Sequence, residues 1–354
     1  MTASLLKTFA PRLIAWYAVH KRDLPWRNTD NPYLIWLSEI ILQQTRVAQG
    51  LDYYLRFAER FPSPAALADA SEDEVLKFWQ GLGYYSRARN LHAAAKSMNG
   101  VFPSTYEGVL ALKGVGEYTA AAVCSFAYRM PYAVVDGNVY RVLARLFAAE
   151  TPVDSSAGKK YFTSLAQELL DKKRPDVYNQ AIMDFGALQC VPASPACSVC
   201  PFTGDCKAYA AGTVEKLPVK AQKTKVSSRY FHYIYVVQGA DTWLHKRTAN
   251  DIWKNLYELP LLETSSPSSA HELAALPEAV RWFGAHANLL PLGKPIKHVL
   301  SHRVIHARFY RLSVSPSFSV PAEFERVSVP SVEQYAVSRL VGAFFEKYLP
   351  QKSN

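Results

Sequence analysis

Cys190, Cys197, Cys200 and Cys206 form a C-x6-C-x2-C-x5-C run, and it constrains this chain more than any other feature. Four thiols this close in sequence can surround one tetrahedral centre at small loop-closure cost. The residues between them resist regular structure, because Pro192, Pro195, Pro201 and Gly204 interrupt any helix or strand. The segment has almost no core of its own, so a bound centre is expected to organise it. Four cysteines suit both a [4Fe–4S] cluster and a structural zinc. Zinc sites more often use two short C-x2-C knuckles and this run has one, which leans towards iron and sulfur and leaves zinc open. Unrelated buried cysteines are the plainer alternative, and disulfides are not expected. Cys124 lies far away in an apolar helical stretch and reads as core.

The chain has 354 residues, 49% of them hydrophobic, which is long for one core and suits two domains or more. Charged residues at 20% exclude global disorder. No apolar run reaches the roughly 18 residues that span a bilayer, so no membrane partner is expected. The N-terminal stretch is apolar and basic, with no acid before Asp23. A transit peptide is rejected, because Leu13, Ile14, Trp16 and Tyr17 keep a helical pattern that runs straight into Leu24-Pro25-Trp26-Arg27. A reducing cytoplasm is expected for a chain with five cysteines and no signal peptide. The net charge of +10 with 13% aromatics suggests a nucleic-acid partner, against the alternative of an ordinary basic enzyme.

Residues 1 to about 212 read as nearly all helical. Capping boxes are expected at Ser71 with Glu74 and at Ser104 with Glu107. Apolar stripes run through Leu51, Tyr54, Leu55 and Phe57, and through Tyr161, Phe162, Leu165 and Leu169. Residues 216–229 carry Lys216, Lys220, Lys223, Lys225 and Arg229 without an acid and read as a solvated linker. The pattern then turns to strands at Tyr230–Val237 and Ile305–Val314, with a loop at Thr264–Ser269. A last helix is expected through Val332, Tyr335, Leu340, Val341, Phe344 and Phe345, which makes the C-terminal part a separate α+β domain.

Four local patterns carry chemistry. Leu112-Lys113-Gly114-Val115-Gly116 joins two helices, and its glycines suit a turn with positive φ whose N–H groups approach a phosphodiester. That is a helix-hairpin-helix, or else a plain helical turn with a glycine cap. Glu39 sits in Leu34-Ile35-Trp36-Leu37-Ser38-Glu39-Ile40-Ile41-Leu42, apolar on nearly every side, so its pKa should be raised as a general acid requires. A structural ion pair is the alternative. Gln43 follows one turn later. Asp136 ends the apolar run Val134-Val135 and precedes Gly137-Asn138, which elsewhere marks an ordinary turn. Gly81-Leu82-Gly83-Tyr84-Tyr85-Ser86-Arg87-Ala88-Arg89 sets paired aromatics beside two arginines, either as a wedge into a base stack with phosphate grips or as a glycine cap before core tyrosines. Together these describe an enzyme that extrudes a nucleotide and cuts its glycosidic bond.

The chain closely resembles the MutY-type adenine DNA glycosylases of the helix-hairpin-helix superfamily. The resemblance rests on Leu24-Pro25-Trp26-Arg27, Ser38-Glu39-Ile40-Ile41-Leu42-Gln43-Gln44-Thr45, Gly81-Leu82-Gly83-Tyr84-Tyr85, Gly114-Val115-Gly116-Glu117-Tyr118-Thr119-Ala120, Val135-Asp136-Gly137-Asn138-Val139, Asn179-Gln180-Ala181 and the four cysteines. It implies a mostly α glycosylase core with a [4Fe–4S] loop over residues 1–215, of which about 25–130 form the six-helix part. A basic linker at 216–229 and an α+β Nudix-like domain at 230–354 follow. Glu39 matches the glutamate that protonates adenine. Asp136 matches the aspartate that stabilises the oxocarbenium-like sugar or adds to it transiently. Asn138 and Tyr118 match residues that support them. Gln43 and Tyr84 match residues entering the duplex, and Arg27, Arg87, Arg89, Gly114, Val115 and Gly116 are assigned to DNA. Relatives that also nick the strand place a Schiff-base lysine where Tyr118 stands, so base removal without strand cleavage is implied.

The C-terminal domain resembles the module that reads 8-oxoguanine opposite adenine. Ser301 and His302 match the family's Phe-Ser-His loop, with Leu300 at the aromatic position. Asn255-Leu256-Tyr257-Glu258-Leu259-Pro260 only approximates the usual Gly-Leu-Trp-Glu-Phe-Pro, and no Arg-Glu-x-x-Glu-Glu box occurs, so nucleotide hydrolysis is not expected. The implied partner is duplex DNA carrying A:8-oxoguanine or A:G mispairs, met by a monomer in the cytoplasm, at the nucleoid in a bacterium. The rival readings are an endonuclease III-like glycosylase that also nicks the strand, and a non-catalytic iron–sulfur protein that binds damaged DNA.

Overall fold

A computed structural model describes residues 3–221 and 226–349. They fall into two compact units, Met1–Asp69 with Asn90–Gln222, and Ala70–Arg89 with Lys223–Asn354. The division therefore does not follow the chain in order: a short segment from the helical half belongs with the C-terminal unit.

The first unit is helical. Its central helix, Pro32–Leu42, starts where Asn31 accepts from the N–H groups of Tyr33 and Leu34 and where proline fits the first turn. It is apolar on nearly all sides, and it is buried against the helix Glu117–Tyr128. A second core joins Ala3–His20, Gly137–Phe147, Ser156–Leu169 and Pro175–Leu188 through Phe9, Leu13, Leu143, Phe162 and Phe185, and Cys190, Cys200 and Cys206 pack on its edge. Cys124 is fully buried, as expected.

Several local expectations shift. Ser71 does cap Glu72–Trp79, accepting from Glu74 N at 3.1 Å, but the next cap is Thr105, one residue beyond Ser104, accepting from Gly108 N at 3.1 Å. Tyr161 and Leu55 are exposed, because each sits one position off the buried face marked by Phe162 and Tyr54. The basic strip is not all solvated. Leu217 is buried in the second core, and Val153 N bonds Val219 O at 3.0 Å. Lys223 and Lys225 lie outside the described residues.

Among the described residues the second unit has seven strands: β1 (Ser227–Val237), β2 (Asp241–Lys246), β3 (Tyr257–Glu258), β4 (Leu261–Thr264), β5 (Leu290–Val299), β6 (Arg303–Ser313) and β7 (Glu325–Ser328). One sheet runs β4-β1-β6-β5 with β1 and β6 parallel, and the other runs β3-β2-β7. Alternate residues of β1 enter different cores, Phe231 and Tyr233 one, Ile234 and Val236 the other, so both faces of the sheet are covered. The helix Arg339–Tyr348 covers one face with Leu340, Val341 and Phe344. Its expected start at Val332 is instead a 3-10 turn, Val329–Gln334. Residues 70–89 bind the same unit: Lys246 Nζ meets Asp73 Oδ1 at 2.6 Å, Val337 N donates to Gln80 Oε1 at 3.2 Å, and Tyr85 OH donates to Val337 O at 3.3 Å.

Candidate active site

Glu39 and Asp136 come from distant parts of the chain and line one cleft of about 420 Å³. Glu39 lies on the third turn of Pro32–Leu42, among apolar neighbours, and is only 7% exposed. Burial pushes its carboxyl up to about 7, Tyr118 and Arg27 pull it down, and the charge of Asp136 adds to the rise. Tyr118, in the first turn of Glu117–Tyr128, donates its OH to Glu39 Oε2 at 3.0 Å. Asp136 caps the helix Gly137–Phe147, accepting from Asn138 N at 2.9 Å, Val139 N at 2.8 Å and Asn138 Nδ2 at 2.7 Å. Burial raises its pKa, while these N–H groups and Arg141 hold the anion and oppose the rise. One carboxyl is thus poised to carry a proton near neutrality, while the anion of the other is met by three N–H donors.

Arg22 and Arg27 line this cleft and are held by a carboxylate that is not among the residues expected from the sequence. Asp184 is fully buried and gathers two arginines: Arg22 Nε donates at 2.8 Å and Arg27 Nη2 at 2.7 Å to Oδ1, and Arg27 Nη1 donates at 2.6 Å to Oδ2. Arg27, expected on DNA, is committed to this pair and faces the cleft, with its guanidinium fixed by a bidentate grip. Gln180 also lines the cleft and accepts from Tyr17 OH at 2.8 Å. Gln43 ends the Glu39 helix, and its Nε2 donates to Thr119 Oγ1 at 3.3 Å.

The hairpin joins Tyr106–Leu110 to Glu117–Tyr128. Gly114 has φ +83, and a Cβ there would meet Asn90 Cβ at 2.8 Å, so only glycine fits. Gly116 differs from expectation: its φ is −107, and it serves as the N-cap with open space around it. The N–H groups that follow Val115 head a helix.

In the second unit, Tyr84 is 44% exposed and holds φ +46. It lines a cavity of about 550 Å³ with Arg89, Trp253, Leu300, Ser301, His302 and Arg303, and its OH contacts Ser301 Oγ. Trp253 and Asn255 also hold left-handed φ, at +59 and +65, a backbone that costs bulky residues about 1–3 kcal/mol each. Arg87 was expected at phosphate, yet it is buried, with its guanidinium 5.0 Å from the Trp79 ring centre and Nη2 donating to Gly83 O at 3.3 Å. It supports the turn beneath Tyr84. Arg89 donates Nη1 to Lys254 O at 2.9 Å.

The four cysteines of the run line one small cavity of about 30 Å³ with Arg145, Thr203 and Tyr209. Among the described residues, no three His, Cys, Asp or Glu side chains already stand as a metal-holding group. The donor set nonetheless fits a thiolate-held centre. Arg145 Nη1 lies 3.5 Å from Cys190 Sγ, Phe202 N lies 3.4 Å from Cys200 Sγ, and burial pushes the Cys200 thiol up to about 11, so a cationic centre is what would ionise it. Arg12 ties the first helix to this loop through Asp205 at 2.6 Å.

Residues 37–170 match the model of the HhH-GPD superfamily base excision DNA repair proteins, and residues 232–347 match the NUDIX domain. The adenine DNA glycosylase of Buchnera aphidicola subsp. Baizongia pistaciae (strain Bp) is 34% identical over 262 residues, 71% of this chain and 73% of that one. The mouse adenine DNA glycosylase is 33% identical over 401 residues, covering 96% of this chain and 78% of the relative. This chain belongs to the adenine DNA glycosylase family. Among solved structures, a thermostable thymine-DNA glycosylase superposes with a TM-score of 0.56 at 29% identity, covering 59% of this chain and 99% of that one. A trapped endonuclease III–DNA covalent intermediate gives 0.53 at 22% identity over 60% of this chain and 99% of that one, and shares the fold. As a member of the adenine DNA glycosylase family, the chain pairs an endonuclease III-like helical core with a Nudix-like C-terminal unit. In that frame Asp184 was findable by the signal that marked Glu39: a lone carboxylate among Ile182, Met183 and Phe185 on a helix. Arg22 as its partner had no signal in the sequence.

Proposed function

We propose that this adenine DNA glycosylase family member removes adenine mispaired with 8-oxoguanine or guanine and leaves the strand unbroken. The observation that carries the reading is the meeting of Glu39 and Asp136 in one cleft. The glycosidic bond lies inside the duplex, so the nucleotide must first be extruded. Gln43 and Tyr84 each enter the duplex, and the N–H groups of the Gly114–Gly116 turn grip the phosphodiester without regard to sequence.

In the cleft, neutral Glu39 gives its proton to the imidazole ring of adenine, which turns a poor leaving group into a good one. Tyr118 fixes the carboxyl by donating to Oε2, which leaves the other oxygen for the base. As the bond stretches, positive charge grows on the sugar. The Asp136 carboxylate, oriented by Asn138 and the N–H of Val139, stabilises that charge. Glu39, now ionised, then activates water for attack on the sugar. Tyr118 cannot form an imine with the abasic sugar, so no covalent route to strand cleavage opens.

Cys190, Cys197, Cys200 and Cys206 would hold a [4Fe–4S] cluster, with Arg145 offsetting its negative charge. Bound there, the cluster supplies a rigid, charge-balanced core to an otherwise irregular loop. Ser301 and His302, with Leu300, face the cavity that would receive 8-oxoguanine. A monomer in a reducing compartment suits this chemistry, and no described helix is long and apolar enough to cross a membrane.

Single-turnover adenine release from A:8-oxoguanine and A:G duplexes tests the reading. Strand breaks are expected only after hot alkali, and Glu39→Gln is expected to keep DNA binding while losing release by a factor of about a thousand or more. Breaks without alkali would point to a lyase. An unchanged release rate in Glu39→Gln would remove the general acid, and no release by the unaltered chain would leave a binding protein. Purified protein should carry about four iron atoms per chain.

A further inference from the structure

Asp251, Ile252 and Trp253 form part of the wall of the cavity lined by Tyr84. Residues 251–255 make a turn that is pinned at both ends. Asp251 Oδ2 accepts from Arg229 at 2.6 Å and Arg247 at 3.2 Å, and Oδ1 accepts from Arg303 at 2.7 Å. At the far end, Asn255 N donates to Arg247 O at 2.7 Å, Leu256 N donates to Trp253 O at 3.0 Å, and Asn255 Nδ2 contacts Glu72. Between these anchors Trp253 takes φ +59 and Asn255 takes φ +65. A left-handed backbone at a bulky residue persists only where its surroundings over-determine it, and such positions gather at ligand clamps.

What the turn achieves is the placement of one ring. Trp253 lines the cavity of about 550 Å³ together with Tyr84, Ser301 and His302. Phe231 meets the indole at 6.1 Å and 76°, and His298 meets it at 5.9 Å and 60°, both edge to face. Among the described residues none stacks parallel on it. The loop that carries Ser301 and His302 has the aliphatic Leu300 beside them, so the imidazole of His302 is the one ring among these three residues. Among the described residues, the rings that line this cavity belong to Tyr84, Tyr85, Trp253 and His302, and Tyr85 is buried with its OH on Val337 O.

We propose that Trp253 is a specificity-determining residue, the stacking face on which the purine opposite the excised adenine rests while Ser301 and His302 address its edge. This rests on the reading of Ser301 and His302 as the groups that recognise 8-oxoguanine. Stacking is blind to base identity. Ser301 and His302 admit 8-oxoguanine to the cavity and not guanine, so the ring adds its stacking to the 8-oxoguanine duplex alone and widens the preference.

The test compares Trp253→Phe with Trp253→Leu, which fills the site without a flat ring, alongside the double variant Ser301→Ala/His302→Ala. Binding is measured in the full-length holoprotein on duplexes that pair a non-cleavable adenine analogue with 8-oxoguanine or with guanine. Trp253→Leu should bind the 8-oxoguanine duplex about ten- to a hundredfold more weakly, the size of one base–aromatic stack. Its binding to the guanine duplex should change by less than about threefold, and Trp253→Phe should keep most of the preference. Equal losses on the two duplexes, or a Trp253→Leu preference like that of the unaltered chain, overturns the proposal. If the double variant loses the preference while Trp253→Leu keeps it, Trp253 alone is misassigned. If neither loses it, the assignment of the cavity to 8-oxoguanine falls as well.

Discussion

At the scale of single residues, the chemistry depends on how the surroundings split two carboxyls. Glu39 is raised to about 7 by burial, and its protonated form is the active acid, so base release should fall as pH rises through about 7. A pH–rate profile in single turnover checks this, and a profile flat from pH 6 to 8 would rule it out. The same shift has a sign for stability. A folded-state pKa above the unfolded one means that the native chain binds the proton more tightly, so its contribution is present at acid pH and is lost as pH climbs from the ordinary carboxylate range to about 7. Asp184 sets a second prediction. It neutralises Arg27, which itself lowers the Glu39 pKa. Asp184→Asn should therefore expose the Arg27 charge and move the falling limb of the profile to lower pH, together with a loss of about 3–5 kcal/mol in unfolding stability. Loss of stability with an unmoved limb would make Asp184 purely structural.

At the scale of elements, the hairpin turn is the most sharply constrained piece. Gly114→Ala places a Cβ at φ +83 and against Asn90. It should weaken binding to undamaged duplex by tenfold or more, read by fluorescence anisotropy, with iron content unchanged. A tight-binding Gly114→Ala would mean that the turn does not touch DNA. The sequence made this turn, the Glu39 helix and the cysteine loop legible, because each announces itself within a dozen residues by glycine, by a lone acid or by thiol spacing. It also marked Ser71 as a cap but missed by one residue at Thr105, where Ser104 and Thr105 are equally good acceptors and only packing decides between them. Of the described strands, β2, β3, β4, β5 and β7 escaped notice: β3, β4 and β7 are too short to carry readable alternation, and Pro291, Gly293 and Pro295 break up the pattern of β5. Arg87 misled for a different reason: a charge beside tyrosines looks like a phosphate grip, and only the fold reveals that it lies on Trp79. Pairings such as Arg27 with Asp184 join distant stretches of chain, and no local pattern encodes them.

At the scale of the whole molecule, the chain crosses between its two units at residues 69–70, 89–90 and 222–223. A chain ending after residue 222 would leave Ala70–Arg89 without Lys246, Val337 and Tyr335, to which Asp73, Gln80, Tyr85 and Lys77 are bonded. Limited proteolysis of such a truncated chain should cut first within 70–89, while the full chain resists there, and cuts elsewhere first would show that this segment holds without its partners. The net charge of +10 adds a further expectation, that binding to any duplex weakens steeply with salt. The threefold crossing also bears on how the molecule is made. On the ribosome, Ala70–Arg89 emerges long before the strands that complete its surroundings, so vectorial synthesis cannot finish the units one after the other. The helix Glu72–Trp79, with its apolar Val75, Leu76 and Trp79, must wait through most of translation for the strands of its own unit.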